Sequence, residues 1–432
     1  MKKSNKLQDV VQLIRGTTYK SALLGTKGPV LLGLGSIQRN GGFRDDSLKN
    51  YGGESRPNML LRPGDMYVSL KDVTQSGDLL GAVARVPEHV RLGRLTQDTV
   101  KLDIVDFEYP RALLYWSLRA PQYRAYCREH ATGTTNLGLA REDFLSFDLP
   151  EATPDRVSLA MLLESIESEI GILHGINETL ESMAQAIFKS WFVDFDPVRA
   201  KAEGRQPERI DAATADMFPN SLEDSAIGKI PKGWTVGMLG DLADVSRRQV
   251  QPNAISEDTF YVGLEHIPRK TLGLDSWGSA AGLGSAKSCF EKGDILFGKL
   301  RPYFHKVVVA PFSGVCSTDV IVCNSKSHDY YGFVVMQLFS CELVAFADKL
   351  SNGAKMPRSS WKDLAGYFLA KPPAELARAF SDTVKPMLDQ IVTNIHQANS
   401  LCQLRDSLLP KLIPGELRFP EAESIVRSAV NA

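Results

Sequence analysis

The alternation of apolar and polar positions changes period along this chain. Up to residue 150, short apolar runs are separated by polar, glycine-containing stretches. Residues 30–37, VLLGLGSI, predict a buried strand followed by a polar loop at 39–46, RNGGFRDD. Residues 60–70, LLRPGDMYVSL, predict a turn on Pro63-Gly64 leading into a strand with two-residue alternation. A helix is expected over 109–129, then another polar loop, ATGTTNLG, at 131–138. From Pro154 the period lengthens: Leu159, Leu163, Ile166, Ile170, Leu173, Asn177, Leu180, Ala184 and Ile187 recur at alternating steps of four and three. That is a coiled-coil seam, with Asn177 as a single polar interruption of the kind that fixes register. Pro154-Asp155 suits a helix start and Pro197 lies just beyond the end. A helix of about forty residues would measure roughly 60 Å and requires a partner along its length.

Residues 198–230 are polar and contain Pro207 and Pro219, which reads as a linker. The first pattern then begins again. Leu239-Gly240-Asp241-Leu242 matches Leu7-Gln8-Asp9-Val10, and Val262-Gly263-Leu264-Glu265-His266-Ile267 matches Leu32-Gly33-Leu34-Gly35-Ser36-Ile37, with Arg269 falling on Arg39. Lys292-Gly293-Asp294-Ile295 matches Pro63-Gly64-Asp65-Met66, and Asn352-Gly353-Ala354 matches Thr132-Gly133-Thr134. A second helical stripe follows at Val384, Leu388, Ile391, Ile395, Ala398, Leu401 and Leu408. Matches in the same order imply an internal duplication, with insertions confined to loops. The expected fold is α+β: similar domains at 1–150 and 231–370, a helix at 151–197, a linker at 198–230, a second helix at 371–420 and a tail at 421–432. The two helices are expected to pair antiparallel and hold the globules apart with approximate two-fold symmetry.

Charge sharpens this division. The whole chain is close to neutral, with 50 Lys+Arg against 51 Asp+Glu. Residues 1–150 nevertheless carry 21 basic and 16 acidic residues, 231–370 carry 15 and 13, and the helix at 151–195 carries 2 and 8. Two basic blocks around an acidic helix suggest a polyanionic partner for the blocks. No apolar run reaches the ~18 residues that span a bilayer, the best being 332–347, which Glu342 interrupts. The N-terminus carries lysines without an apolar core behind them, so a cytoplasmic location without a membrane is expected. The six cysteines form no Cys-x-x-Cys pair and read as buried thiols.

Several stretches resemble the specificity subunits of type I restriction-modification enzymes. They are MAQAIFKSWFVDFDPV (183–198), PKGWTVGMLGDLADV (231–245), YVGLEHIP (261–268) and LRDSLLPKLIPGEL (404–417), and the similarity runs through essentially the whole chain. The resemblance implies two target-recognition domains, each reading one half of a bipartite site in double-stranded DNA. It further implies helical spacers that set the half-site distance and bind two methyltransferase subunits, through which restriction/translocase subunits join. Methylation of adenine is implied likewise. Two half-sites about one helical turn apart (~34 Å) or more need a rigid ruler, which paired helices supply.

Catalytic machinery is not expected. Lys371-Pro372-Pro373-Ala374 lacks both the amide or acid and the aromatic of an amino-methyltransferase motif. No acid precedes a lysine by two residues, Gly25-Thr26-Lys27 lacks a glycine-rich cradle, and Gly33-Leu34-Gly35 is an isolated fragment of a dinucleotide fingerprint. No histidine pair has metal-ligand spacing, so neither metal nor cofactor is expected. The candidate DNA-binding residues are polar and basic loop positions at matching places: Gln38, Arg39, Asn40, Arg44 and Lys71 in the first copy, and Arg269, Lys270, Lys299, Arg301, Tyr303 and Lys306 in the second. Arginine can bind guanine bidentately and Asn or Gln adenine, while phosphate contact or plain solvation stays open for each. Thr134, Thr135, Asn136, Lys355 and Arg358 are weaker candidates. Phe188, Trp191, Phe192, Phe195, Leu408, Leu409 and Leu412 at the helix ends are either core or a methyltransferase-docking surface. The competing readings are a coiled-coil scaffold and a self-contained DNA methyltransferase or nuclease.

Overall fold

The computed structural model describes residues 5–45, 48–73, 76–134, 136–351 and 356–430. The chain divides into two units, one formed by residues 1–169 and 400–432 and the other by 170–399. Asp46, Thr135, Asn352-Gly353-Ala354 and Lys355, all singled out in the sequence, lie outside the described residues.

Unit 1 contains a four-stranded antiparallel sheet in the order Val11–Arg15, Thr99–Ile104, Met66–Ser69, Val83–Arg85. Beside it in sequence is a three-stranded sheet in which Val30–Leu32 runs parallel to Gly93–Leu95 and Leu60–Leu61 runs antiparallel to it. Unit 2 repeats the first sheet with Ala243–Val245, Val320–Ser325, Ile295–Gly298 and Val307–Val309, and the parallel pair with Phe260–Val262 and Gly314–Cys316.

The duplication extends to single hydrogen bonds. Asp9 caps the backbone N–H of Lys6 at 3.2 Å, and Asp241 that of Met238 at 2.8 Å. The two Gly-Asp turns use φ values of 83° at Gly64 and 90° at Gly293, a region open to glycine at no steric cost. Their amides donate to Val86 O at 2.8 Å and Ala310 O at 2.9 Å. Tyr109 closes its unit by donating to Pro150 O at 2.8 Å, and Tyr330 does so to Pro372 O at 2.9 Å.

The long helices are Pro154–Phe192 and Ala374–Leu408. In unit 2 they run antiparallel: Asn177 accepts from Asn394 at 2.8 Å, while Phe188, further along the first helix, meets Phe380, earlier in the second, at 6.0 Å between ring centroids. The expected register residue, itself half-buried, therefore has a partner, and that partner is the buried Asn394. Glu181 is buried in the same unit and accepts from Thr271 Oγ1 at 2.6 Å, Leu272 N at 2.9 Å and Gly273 N at 3.0 Å. In unit 1 the helix pair is joined by Glu167, which meets Arg119 at 3.1 Å and Arg405 at 2.7 Å. The seam residues Leu159, Leu163, Ile166, Val384, Leu388, Ile391 and Ile395 are all buried.

Three expectations change. The strand expected over 30–37 is only Val30–Leu32, because the amide and hydroxyl of Ser36 turn back to Gly33 O at 3.0 and 2.7 Å and make a 3-10 turn of Leu34–Ser36. The helix expected over 109–129 is two helices, Arg111–Ser117 and Pro121–Glu129. Pro121 has no N–H to give and pushes Ala120 to an extended ψ of 146°, which breaks the helix between them. The segment 198–230 is structured: helices Asp196–Ala202 and Ala212–Asp216 are followed by a hairpin of Leu222–Ser225 with Gly228–Pro231. Its few apolar side chains are well used, Phe218 being buried edge-on against Trp191 at 5.3 Å. The apolar stretch 332–347 forms two helices, Tyr331–Phe339 and Cys341–Leu350, bent by 60°. Among the described residues no single helix is long and apolar enough to cross a membrane.

Candidate nucleic-acid interface

In unit 2 the strand Ile295–Gly298 delivers the chain into a loop that backbone bonds hold at each step. Lys299 N donates to Asp319 O at 3.0 Å and Arg301 N to Pro357 O at 2.8 Å. Arg301 adopts a left-handed φ of 52°, after which Pro302–Phe304 forms a 3-10 turn and His305 turns back with φ 53°. His305 is buried, and its Nε2 shares a 2.8 Å hydrogen bond with Phe339 O; burial lowers its pKa, which favours the neutral ring. From the other side comes the 263–270 turn. Lys270, with φ 58°, donates its amide to His305 O at 2.8 Å.

This bond sets the position of the neighbouring side chain. The Arg269 guanidinium lies 3.8 Å above the Phe304 ring, with that of Arg301 at 5.9 Å, while the half-exposed Tyr303 packs against Phe304 at 4.7 Å. Lys306 donates to Leu264 O; burial, followed by the charge of Arg269, holds its pKa below the usual lysine range. Arg269, Lys270, Arg301, Tyr303 and Lys306 are thus gathered around the Phe304–His305 turn, with Lys299 just before it. Arg358 is committed to Asp319 at 3.1 Å. Phe304 and His305 were missed in the sequence, where the available signal was an aromatic pair inside the basic string RPYFHK.

Unit 1 builds the matching turn with different side chains. Asn40 has φ 62° at the place where unit 2 has Lys270 at 58°, and its amide donates to Asp78 O at 2.8 Å. Gly42 needs its φ of 113°, and a Cβ there would come within 2.7 Å of Gln38 Oε1. Gln38, Arg39, Asn40 and Arg44 are all exposed. Asn40 Oδ1 accepts from Arg128 at 3.5 Å, a cation the sequence reading did not select. The loop is braced from inside by the buried Arg124, which donates to Leu80 O, Gly77 O and Asp78 O at 2.5, 3.1 and 2.8 Å. Lys71 is paired with Asp98 at 3.6 Å. Thr134 and Asn136 sit in a separate turn closed by Thr132 Oγ1 to Gly138 O at 3.1 Å.

No protein-family model matches the chain. It is similar to the type I restriction enzyme MjaIX specificity subunit of Methanocaldococcus jannaschii, with 24% identity over 356 residues, covering 79% of this chain and 76% of that protein. The EcoDI specificity subunit of Escherichia coli is 24% identical over 321 residues, covering 70% and 69%. In fold, the chain resembles the crystal structure of a type I restriction-modification S subunit from M. genitalium, with a TM-score of 0.56 at 15% identity over 95% of this chain and 96% of that one. The chain is thus similar over most of its length to curated type I restriction enzyme specificity subunits.

In this chain the helix-end aromatics belong to the core of unit 2. Phe188, Trp191, Phe192 and Phe195 are each at most 8% exposed. Phe192 packs 4.9 Å from both Phe333 and Phe380, and Phe195 lies edge-on to Trp234 at 5.7 Å. Leu408, Leu409 and Leu412 are buried as well. All seven side chains are buried within their own units. Phe188 and Phe192 do line one wall of a cleft of about 460 Å³, whose rim carries the exposed Val193 and Phe368. Among the described residues no group of three or more His, Cys, Asp and Glu side chains is placed to hold a metal ion.

Proposed function

We propose that this chain is the non-catalytic DNA-specificity subunit of a type I restriction-modification complex, each unit reading one half of a bipartite target. The observation that carries this is the repeated corner. Arg39-Asn40 and Arg269-Lys270 occupy the same left-handed turn in two copies of one fold, and both present exposed polar and cationic side chains. Exposed arginines on fixed backbone suit base edges and phosphates, and a duplicated reader suits a target with two halves. The similarity to named specificity subunits supports the same reading. Methyl transfer and cleavage then belong to other subunits: two methyltransferase subunits, and restriction/translocase subunits joined through them, acting on double-stranded DNA in the cytoplasm. The long paired helices serve as the ruler between the half-sites.

Genome-wide methylation mapping tests this directly. Cells with the cognate methyltransferase should show a bipartite methylated motif with a fixed gap only when this chain is present. Exchanging residues 1–150 for those of another such subunit should change one half alone. A motif that persists without this chain would leave it a scaffold.

A further inference from the structure

The two corners differ in one respect that bears on what each can read. Arg39 is exposed with no aromatic ring under it among the described residues, whereas the Arg269 guanidinium carbon sits over the Phe304 ring, 3.8 Å from its centroid. No hydrogen bond or ion pair engages the Arg269 guanidinium among the described residues, so its outward N–H groups stay available to a ligand. A free arginine side chain carries rotamer entropy that binding must remove, and stacking removes part of it beforehand. The platform is itself fixed: Phe304 N donates to Arg301 O at 2.9 Å, and the following His305 is anchored through its ring to Phe339 O. Lys270, Lys299 and Arg301 surround it as charges without an aromatic this close. Charge alone attracts phosphate without regard to sequence, but a guanidinium held in a fixed plane presents a donor pair that matches O6 and N7 of guanine.

We propose that Arg269, positioned by Phe304, reads a guanine in the major groove of the half-site assigned to unit 2. This rests on the DNA-specificity reading above. Arg269 is the specificity-determining residue and Phe304 a positioning residue that acts through it.

The test uses the full chain with its methyltransferase. Methylation motifs are mapped for wild type, Arg269→Ala, Phe304→Leu and Phe304→Tyr. Arg269→Ala should relax one position of one half-site, and the base pair lost there should be G·C. Phe304→Leu should relax the same position less, and Phe304→Tyr, which keeps a ring under the guanidinium, should restore it. In parallel, duplexes with 7-deazaguanine at each half-site guanine are measured for binding by the assembled complex. One substitution should weaken wild type about tenfold and leave Arg269→Ala indifferent. Such binding data also serve if the variant methylates too poorly to map. The proposal is overturned if Arg269→Ala retains the full motif, if the relaxed position is A·T, or if wild type and variant respond alike to every 7-deazaguanine. A wild-type chain that leaves the motif unchanged would instead overturn the specificity reading itself.

Discussion

The two units hold the long helices by opposite electrostatic means. In unit 1 a carboxylate, Glu167, lies between the guanidinium groups of Arg119 and Arg405, all three at the helix interface. Unit 2 uses an uncharged pair there, Asn177 with Asn394, and one isolated carboxylate, Glu181, that faces only neutral donors. Burial acts on both acids in the same direction and the partners decide the outcome. Glu167 ends below the ordinary glutamate range because two arginines outweigh its desolvation. Glu181 ends above that range because hydrogen bonds from a hydroxyl and two amides do not. One repeat, built twice, thus carries acid sensitivity of opposite sign.

The sharpest way to separate the units is through their packing. Phe192→Ala removes a ring that touches Phe333, Phe380 and Trp234, and should cost about 3–5 kcal/mol, all of it in unit 2. Hydrogen exchange on the full chain should show peptides of 170–399 losing protection and those of 1–169 keeping theirs; equal loss in both would show that the units unfold as one. Next in size is Glu167→Ala, which leaves Arg119, only 8% exposed, without its carboxylate partner beside Arg405, which keeps Asp406 at 2.9 Å. The expected cost is about 2–3 kcal/mol in unit 1, below that of a fully enclosed pair because Glu167 is itself 30% exposed. An unchanged denaturation midpoint for unit 1 would mean that the triad contributes nothing.

The smallest effect at neutral pH, and the most diagnostic, is in Glu181→Gln. The amide oxygen can still accept from Thr271, Leu272 and Gly273, so stability near pH 7 should stay within about 1 kcal/mol or rise. Its pH dependence should change more. An acid with a raised folded pKa favours folding below its unfolded value and loses that contribution as pH climbs through the folded value. Unit 2 of the wild type should therefore weaken over this window, and Glu181→Gln should flatten the slope. Glu167 works the other way: its contribution is present above the ordinary glutamate value and fades as pH falls through the depressed one. Parallel acid profiles for both units would break the contrast.

The parts of the molecule that follow from periodicity were legible in the sequence. The seam, the duplication and the register role of Asn177 all come from spacing along one chain. Its partner Asn394 did not stand out, because a polar residue beside Thr393, between Ile391 and Ile395, reads as solvent-facing until the opposite helix is in place. The exposed cations of both loops were found from charge and turn position, but their support was not. Phe304 is an aromatic in a basic loop, and only the fold reveals that Arg269, more than thirty residues earlier, rests on it. The two short helices and the hairpin across 198–230 were not legible because such elements can be anchored by very few apolar side chains. The helix-end aromatics left core and docking equally open, since a sequence gives composition and not coverage.

The left-handed corner has an evolutionary consequence. Both Asn40 and Lys270 are held through their backbone N–H, to Asp78 O and His305 O. On the proposed reading, mutation can exchange the exposed side chains beside such a corner while the loop keeps its path, the left-handed position itself being restricted to residues that tolerate it, so a lineage can try new target preferences without re-solving the fold each time. Because the corner exists twice, one copy can drift while the other retains its old preference, and the number of combined specificities grows as the product of the two.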